Sequence, residues 1–241
     1  MPLHIHPTIE ATLHALADFF VACAAQAIAA RGRFAVALSG GSSPKKLYEL
    51  LASPAYRDQV AWSQVFFFFG DERNVPLTDP QSNYLMAKTA LLEPLGVADD
   101  HVFALHTELP PAEAATTYTK EINGFFSPKP ARFDVVLLGL GDNSHTASLF
   151  PHTGVLCATV AEVQAVFVPE VGMDRLTFTA PLINQARAVA FLVFGSDKAA
   201  AVRRVRQGPR NAEEYPAQLI MPGAGERHWF LDEAAAANLA G

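Results

Sequence analysis

Residues 133–151 read FDVVLLGLGDNSHTASLFP, an apolar run that ends in a loop of glycines and polar residues. The same change from apolar to polar recurs at residues 34–51 (FAVALSGGSSPKKLYELL), 65–73 (VFFFFGDER) and 189–198 (VAFLVFGSDK). Runs that are apolar at every position are typical of strands buried on both faces, as in a parallel sheet. These runs, each followed by a polar loop, therefore predict the central strands of one parallel sheet, with strands at residues 34–38, 65–69 and 189–194.

Segments with helical spacing lie before and between these strands. Residues 10–30 are alanine-rich, carry large apolar side chains three and four positions apart, and end before a glycine. Residues 84–92 and 112–126 predict two further helices, and the helix after the last strand is expected to be capped by Ser196 or Asp197. The alternation predicts a doubly wound α/β fold, with a mostly parallel sheet and helices on both faces. No repeat or linker divides the 241 residues, so we expect one domain.

Composition and charge restrict the classes of function. Half of the residues are hydrophobic and 17% are charged, as in a globular protein. The net charge of -6 argues against a nucleic-acid partner, whereas a small anion can still bind in a locally positive pocket. Cys23 and Cys157 lie in apolar neighbourhoods, which predicts neither a disulfide framework nor a thiolate metal site. No secretion signal is evident and no apolar run reaches the roughly 18 residues of a membrane span, so we expect a cytoplasmic protein without a membrane partner.

Polar residues directly follow each predicted strand. Ligands of open parallel sheets bind beyond the carboxyl ends of the strands, so these residues are expected on one rim. In the segment Ser39-Gly40-Gly41-Ser42 the glycines permit close backbone approach, and free amides at the start of a helix favour a phosphate or carboxylate. The glycine spacing matches neither the dinucleotide fingerprint nor the P-loop, so neither NAD nor ATP is implied. A tight turn without a ligand is the alternative interpretation.

Charged side chains on the same rim indicate the chemistry. Arg73 has the planar fork that matches phosphate oxygens, although solvated charges are also common at strand ends. Lys198 is predicted in the first turn of a helix, where the helix dipole disfavours a cation unless an anion lies opposite. His145 can titrate near neutral pH and act as a general base, or it can simply begin a helix. Arginines farther along that last helix are interpreted as a solvated face: Arg203, Arg204 and Arg206.

The order and spacing of these motifs resemble the 6-phosphogluconolactonase family, which shares its fold with the glucosamine-6-phosphate deaminases. The similar segments run almost end to end: SGGSSPKKLYELL, FFFGDERNVP with QSNY, LLGLGDNSHTASLFP, RLTFTAPLINQAR, FGSDKA and HWFLDEAA. The resemblance implies hydrolysis of 6-phosphoglucono-δ-lactone to 6-phosphogluconate in the pentose phosphate pathway, without a metal or an organic cofactor. It also implies that His145 activates water and that Arg73 and Lys198 bind the phosphate with the amides of Gly40 and Gly41. Arg175 matches an arginine near the pocket.

The segment before His145 departs from the family pattern. The family usually has Asp-Gly there, whereas this chain has Asn143-Ser144, with Asp142 one position earlier. A carboxylate beside a catalytic imidazole fixes its tautomer and stabilises the imidazolium. We therefore count Asn143 among the catalytic residues with His145 and Asp71, and expect Asp71 or Asp142 to supply the missing carboxylate.

Two other functions fit the same fold. An amino-sugar-phosphate isomerase or deaminase would resemble its own family by a tyrosine after the Asp-Glu pair, where this chain has Arg73. A non-catalytic sugar-phosphate sensor would usually be joined to a DNA-binding module, and no basic helix-turn-helix segment is evident. The lactonase interpretation is therefore preferred, with a small sugar-phosphate lactone as the only expected partner of a monomer.

Overall fold

The computed structural model describes residues 2–240 of the chain. The strands are β1 (Leu3–His6), β2 (Phe34–Leu38), β3 (Val65–Phe69), β4 (Asp71–Arg73), β5 (Val102–Phe103), β6 (Val135–Leu138), β7 (Val163–Val168), β8 (Met173–Phe178), β9 (Ala188–Val193) and β10 (Glu226–Asp232). The helices are α1 (Ile9–Arg31), α2 (Ser42–Leu51), α3 (Asn83–Ala87), α4 (Glu93–Leu95), α5 (Pro111–Phe126), α6 (Ala180–Asn184), α7 (Ala199–Gln207) and α8 (Glu233–Ala236). A wide helical turn at residues 88–92 joins α3 to α4, so the helix predicted at residues 84–92 is present but interrupted.

Strand order locates the expected ligand site. One sheet is parallel throughout, in the order β1-β10-β9-β6-β2-β3-β5. From β2 the chain builds outward through β3 and β5, and it then returns to the other side of β2 to add β6, β9 and β10. Ligands of doubly wound sheets bind where this order reverses, which is between the loops that follow β2 and β6. The predicted α/β fold class is confirmed.

The central strands form because nearly every side chain in them is apolar. Strands β2, β6 and β9 are buried at every position, which requires covering layers on both faces of the sheet. In β3, Phe68 stacks on Phe103 and meets Phe133 edge to face, at 4.4 and 5.1 Å between ring centroids. The strands predicted at residues 34–38 and 65–69 match β2 and β3 residue for residue.

Helix α1 corrects one expectation from the sequence. By length and composition alone, α1 is sufficiently long and apolar to cross a membrane, so the expectation that no stretch reaches that length is wrong. The expectation was based on uninterrupted apolar runs. In α1 isolated polar residues interrupt such runs, but the alanines between them keep the mean hydropathy of the helix high. In the structure one face of α1, including Leu16, Phe20 and Ala24, is buried in the core. The helix ends at Gly32, which adopts a left-handed conformation with φ 72°.

A second, antiparallel sheet, which the sequence pattern did not predict, lies beside the carboxyl end of the first. Its order is β4-β8-β7. Gly70 connects the two sheets, because its N–H donates to Leu38 O and its carbonyl accepts from Phe178 N–H, both at 2.8 Å. The short strand β4 is thereby fixed directly after β3, and its residues Asp71 and Arg73 face the loops at the reversal point.

The start of α7 also differs from the prediction. Residues Ser196–Lys198 form a separate turn, and α7 begins at Ala199. The turn is closed by the backbone, since Lys198 N–H donates to Gly195 O at 3.1 Å. Neither Ser196 nor Asp197 caps α7 with its side chain. Lys198 therefore lies immediately before the helix and not within its first turn.

Candidate active site

A cleft of about 390 Å³ opens where the strand order reverses. The loops after β2 and β6 form two of its walls, strands β4 and β8 form the third, and the turn before α7 closes the fourth. All the site residues predicted from the sequence line this cleft except Asn143: Ser39, Gly40, Gly41, Ser42, Asp71, Arg73, His145, Arg175 and Lys198. Asn143 lies behind the cleft wall and contacts His145.

The glycine loop is built for close approach to the start of α2. Gly41 has φ 103°, and among residues 2–240 no side chain caps the first amides of α2. A Cβ on Gly40 would lie 1.9 Å from Asn83 Oδ1, so only glycine fits there. The buried Tyr48 hydroxyl accepts from Ser39 N–H at 2.9 Å and donates to Ser39 O at 2.8 Å. The loop is thus held rigidly with unpaired amides at a helix N-terminus, an arrangement that binds anions.

Two arginines lie side by side on the antiparallel sheet. Arg73 and Arg175 are cross-strand partners of β4 and β8. Burial and the positive charge of Arg73 together lower the pKa of Arg175. Within residues 2–240 neither guanidinium has a carboxylate oxygen within 4.0 Å. With Lys198 across the cleft, they leave a positive site that a phosphate dianion would neutralise.

The acidic pair of β4 has structural partners. Glu72 is fully buried and accepts from the N–H groups of Asn83 and Tyr84 at 2.7 and 2.8 Å, so it caps the start of α3 together with Ser82. Asp71 is buried at the edge of the cleft and accepts from Ser148 Oγ at 2.8 Å. Burial raises the pKa of both carboxyls.

The imidazole of His145 is oriented by Asn143. Asn143 Oδ1 accepts from the His145 backbone N–H at 3.1 Å and lies 2.6 Å from His145 Nδ1. The amide oxygen replaces the carboxylate that was expected from Asp71 or Asp142, neither of which bonds to the ring. Asp142 instead accepts from Asn143 N–H, at 3.0 Å. The physical reason is that Asn143 Oδ1 reaches both the backbone N–H and the ring of His145, whereas the carboxylate of Asp142 is held by Asn143 N–H and that of Asp71 by Ser148.

The surroundings keep this imidazole neutral. Its ring stacks on Phe150, with centroids 3.9 Å apart and planes 15° from parallel. Burial lowers the pKa of His145 to about 4, and the positive charges of Arg175, Lys198 and Arg73 add to this effect, while Asp142 opposes it. Because Nδ1–H donates to Asn143, the lone pair available to the cleft is on Nε2. The ring is therefore a neutral base throughout the physiological pH range.

The backbone around His145 is tightly constrained. Ser144 has φ 68° and Ala147 has φ 48°, which are backbone conformations that residues other than glycine rarely adopt. A Cβ on Gly141 would lie 2.2 Å from His145 Nδ1, so a glycine is required there for the imidazole to fit. Strained backbone of this kind is concentrated at functional sites, where the surroundings over-determine it.

Several residues of the site were missed by sequence reasoning. Glu170 reaches the loop from the turn between β7 and β8 and accepts from Asn143 Nδ2 at 2.8 Å. Arg204 donates to Asp142 O at 2.9 Å and is half-buried, as is Arg206 beside Trp229. Only Arg203 of that trio is exposed, so the interpretation of a solvated face is wrong for the other two. These contacts join residues far apart in the sequence, so no periodic pattern of residue types predicts them.

Comparisons with known proteins identify the family of this chain. Residues 7–229 match the family described as glucosamine-6-phosphate isomerases/6-phosphogluconolactonase. A 6-phosphogluconolactonase of Synechocystis is 42% identical over 218 residues, which are 89% of this chain and 88% of the relative. The structure of 6-phosphogluconolactonase from Trypanosoma brucei has a TM-score of 0.86 at 30% identity, covering 99% of this chain and 98% of that one.

A monomeric glucosamine-6-phosphate deaminase has a TM-score of 0.85 at 18% identity, covering 99% of this chain and 100% of that one. At that identity the likeness concerns the fold alone. The resemblance inferred from the sequence motifs is confirmed by the match over residues 7–229. The chain belongs to the glucosamine-6-phosphate isomerase/6-phosphogluconolactonase family.

Proposed function

We propose that this protein hydrolyses 6-phospho-D-glucono-1,5-lactone to 6-phospho-D-gluconate, as an enzyme of the oxidative pentose phosphate pathway. One observation carries the proposal: a neutral histidine, His145, offers Nε2 to a cleft whose other walls bear Arg73, Arg175 and Lys198. The names of the relatives support the same reaction. We further propose that the enzyme acts in the cytoplasm as a monomer, without a metal or an organic cofactor.

The phosphate of the substrate is bound by the cationic side of the cleft. In this proposal Arg73 and Lys198 provide charge-assisted contacts, Arg175 adds a third positive charge, and Gly40 and Gly41, which line the same cleft, supply backbone amides. Charge-assisted hydrogen bonds contribute about 1.5–3 kcal/mol each, so this set accounts for selection of a phosphorylated over an unphosphorylated lactone.

Hydrolysis then requires one base and stabilisation of an oxyanion. A six-membered lactone is already a reactive ester, so the site needs mainly to orient water and remove its proton. Nε2 of His145 takes a proton from water as the water oxygen bonds to C1. The ring C1–O5 bond breaks in the next step, and the imidazolium returns the proton to O5. No group on the protein is consumed, and the product is the open-chain acid.

Substrate charge also tunes the base. Burial lowers the pKa of His145 in the free enzyme, and the cations Arg175, Lys198 and Arg73 lower it further. A bound phosphate dianion neutralises these charges, so the pKa of His145 rises in the complex and the imidazole becomes a stronger base. The site is consequently most basic when it holds a phosphorylated substrate.

The direct test is hydrolysis of freshly generated 6-phosphogluconolactone, corrected for spontaneous hydrolysis, beside unphosphorylated gluconolactone and glucosamine 6-phosphate. We expect rapid turnover of the first compound only. His145→Ala should lower kcat by about 10²- to 10⁴-fold while 6-phosphogluconate still binds, because the base contacts water and contributes little to ground-state affinity. Turnover of glucosamine 6-phosphate alone would replace the lactonase assignment with a deaminase.

A further inference from the structure

The turn between β7 and β8 brings a carboxylate to the loop that carries His145, at the edge of the cleft. Glu170 lies in the turn Pro169–Val171, and its Oε2 accepts from Asn143 Nδ2 at 2.8 Å. The same amide contacts His145 through its oxygen. A continuous chain of hydrogen bonds therefore runs from Glu170 through Asn143 to the imidazole, from a segment distant in sequence.

The direction of the Asn143 amide decides which nitrogen of His145 is the base. The His145 backbone N–H can only donate, so the atom it meets must be the amide oxygen. That oxygen also faces Nδ1, which must then carry a hydrogen, and Nε2 is left with the lone pair. If the amide were rotated by 180°, its NH₂ group would face Nδ1. The imidazole would then favour the tautomer with hydrogen on Nε2 and lose its basic atom on the cleft side.

An asparagine has two nearly isosteric ends, and the backbone N–H of His145 selects between them from the oxygen side only. The Glu170 carboxylate accepts hydrogen bonds and cannot donate one when it is ionised. It favours the observed direction, in which NH₂ points toward it, and repels the rotated form, in which the amide oxygen would meet carboxylate oxygens. An aspartate at position 143 would not need this selection, since both of its oxygens accept.

We infer that Glu170 is a positioning residue that fixes the Asn143 amide and, through it, the Nδ1–H tautomer of His145. The inference rests on the proposed role of His145 as the base. Glu170 takes up no proton during the reaction, and Nδ1–H stays on the imidazole throughout. The pair Asn143 and Glu170 thereby performs, with a neutral group at position 143, the orienting role that a carboxylate performs beside other catalytic histidines.

The test varies what position 170 can offer. Glu170→Gln keeps an acceptor oxygen, Glu170→Ala leaves the amide to water, and Glu170→Lys presents donors only. We expect kcat within twofold of wild type for the first variant, about three- to tenfold lower for the second, and at least thirtyfold lower for the third, each with KM within about twofold. Glu113→Lys, on an exposed face of α5, is the matched control for the change of charge and should leave kcat unchanged.

The ¹⁵N shifts of the His145 ring provide a readout independent of turnover, with His145→Gln used to assign the signals. The wild type and Glu170→Gln should show hydrogen on Nδ1, and Glu170→Lys should move it to Nε2. A folded Glu170→Lys variant that keeps the Nδ1–H tautomer overturns the inference, as does a Glu170→Gln variant as impaired as Glu170→Lys. A protein inactive on the lactone but with these shifts would refute the proposed function while leaving the role of Glu170 intact.

Discussion

Replacing Asn143 by aspartate should convert the orienting dipole into a charge. In the wild type Oδ1 lies 2.6 Å from His145 Nδ1, and the pKa of His145 is about 4. Two unit charges 4 Å apart interact by about 4 kcal/mol at an effective dielectric constant of 20, which is about 3 pKa units. Opposite charges at this range shift measured pKa values by about 1 to 3 units. We therefore expect the pKa of His145 in Asn143→Asp to rise by about 1 to 3 units.

The assay is kcat/KM of wild type and Asn143→Asp between about pH 4 and 9, with spontaneous hydrolysis subtracted at each pH. The acid limb reports protonation of the free base, so it should move upward by the same 1 to 3 units. At pH 8 both imidazoles are neutral, and the variant should be at least as active, because a carboxylate stabilises the imidazolium that forms. An acid limb that does not move would show that position 143 is not in contact with the imidazole in solution.

The pH dependence of folding stability provides a second test of the pKa of His145, and its direction can be predicted. The folded pKa of His145 lies below the ordinary value of about 6.5, so the unfolded state binds more protons between about pH 6.5 and 4. Folding stability therefore falls as pH decreases through this window, by roughly 3 kcal/mol for a shift of this size. In Asn143→Asp the folded pKa is closer to the unfolded value, so the loss should be smaller. Urea unfolding at pH 7.5 and 4.5 compares the two proteins, and equal losses would contradict the argument.

Asn143→Asp also places a carboxylate against Glu170. The two negative groups repel, so the double variant Asn143→Asp/Glu170→Gln should be more stable than Asn143→Asp alone, by about 0.5–1 kcal/mol because Glu170 is exposed. Glu170→Gln in the wild-type background should change stability much less. Additive effects in this double-mutant cycle would indicate that positions 143 and 170 do not interact.

Three further predictions concern the cleft. Lys198→Ala should lower kcat/KM for the phosphorylated lactone about ten- to a hundredfold and leave kcat/KM for unphosphorylated gluconolactone unchanged; equal losses on both would remove Lys198 from the phosphate site. Gly40→Ala should destabilise the fold by about 1–3 kcal/mol in urea unfolding and weaken binding of 6-phosphogluconate, because the new Cβ meets Asn83 Oδ1 at 1.9 Å. Finally, the acid limb of kcat, which reports the enzyme–substrate complex, should lie at higher pH than the acid limb of kcat/KM, which reports the free enzyme. Acid limbs at the same pH would contradict this prediction.

The parts of the fold that the sequence predicted are those in which burial alone determines the residues. The strand VFFFF at Val65–Phe69 is apolar throughout because both of its faces are covered, and its limits were predicted without error. Strand β4, by contrast, consists of Asp71–Arg73, in which the residues are chosen for the site and for capping α3. Three charged residues carry no strand periodicity, so the antiparallel sheet could not be predicted.

The site likewise contains residues that the sequence predicted and contacts that it did not. Residues that follow strand ends, such as Arg73 and His145, were predicted to meet because parallel strands bring their carboxyl ends together. The contact between Asn143 and Glu170 joins two loops through side chains alone, at 2.8 Å. No pattern of hydropathy or glycine encodes such a contact. The missing carboxylate was therefore sought at Asp71 and Asp142, on the predicted rim, and the structure instead gives the imidazole an amide that also contacts a glutamate distant in sequence.

The acid limbs of kcat and kcat/KM are expected to differ because this site separates the two roles of a carboxylate beside a catalytic histidine. One role is to fix the tautomer of the imidazole, and the other is to supply negative charge. In serine proteases, exchanging the aspartate of the catalytic triad for asparagine lowers kcat about 10⁴-fold because the histidine adopts the wrong tautomer. Here the backbone N–H of His145 and the Glu170 carboxylate keep the correct tautomer. What the amide cannot supply is negative charge to oppose burial and the neighbouring cations, which together lower the pKa of His145 to about 4 in the free enzyme. The phosphate dianion of the substrate brings that charge when it binds among Arg73, Arg175 and Lys198, the same cations that lower this pKa. The base therefore gains strength in the complex, where kcat is determined, and a wild-type enzyme whose kcat and kcat/KM share one acid limb would show that the substrate does not tune it.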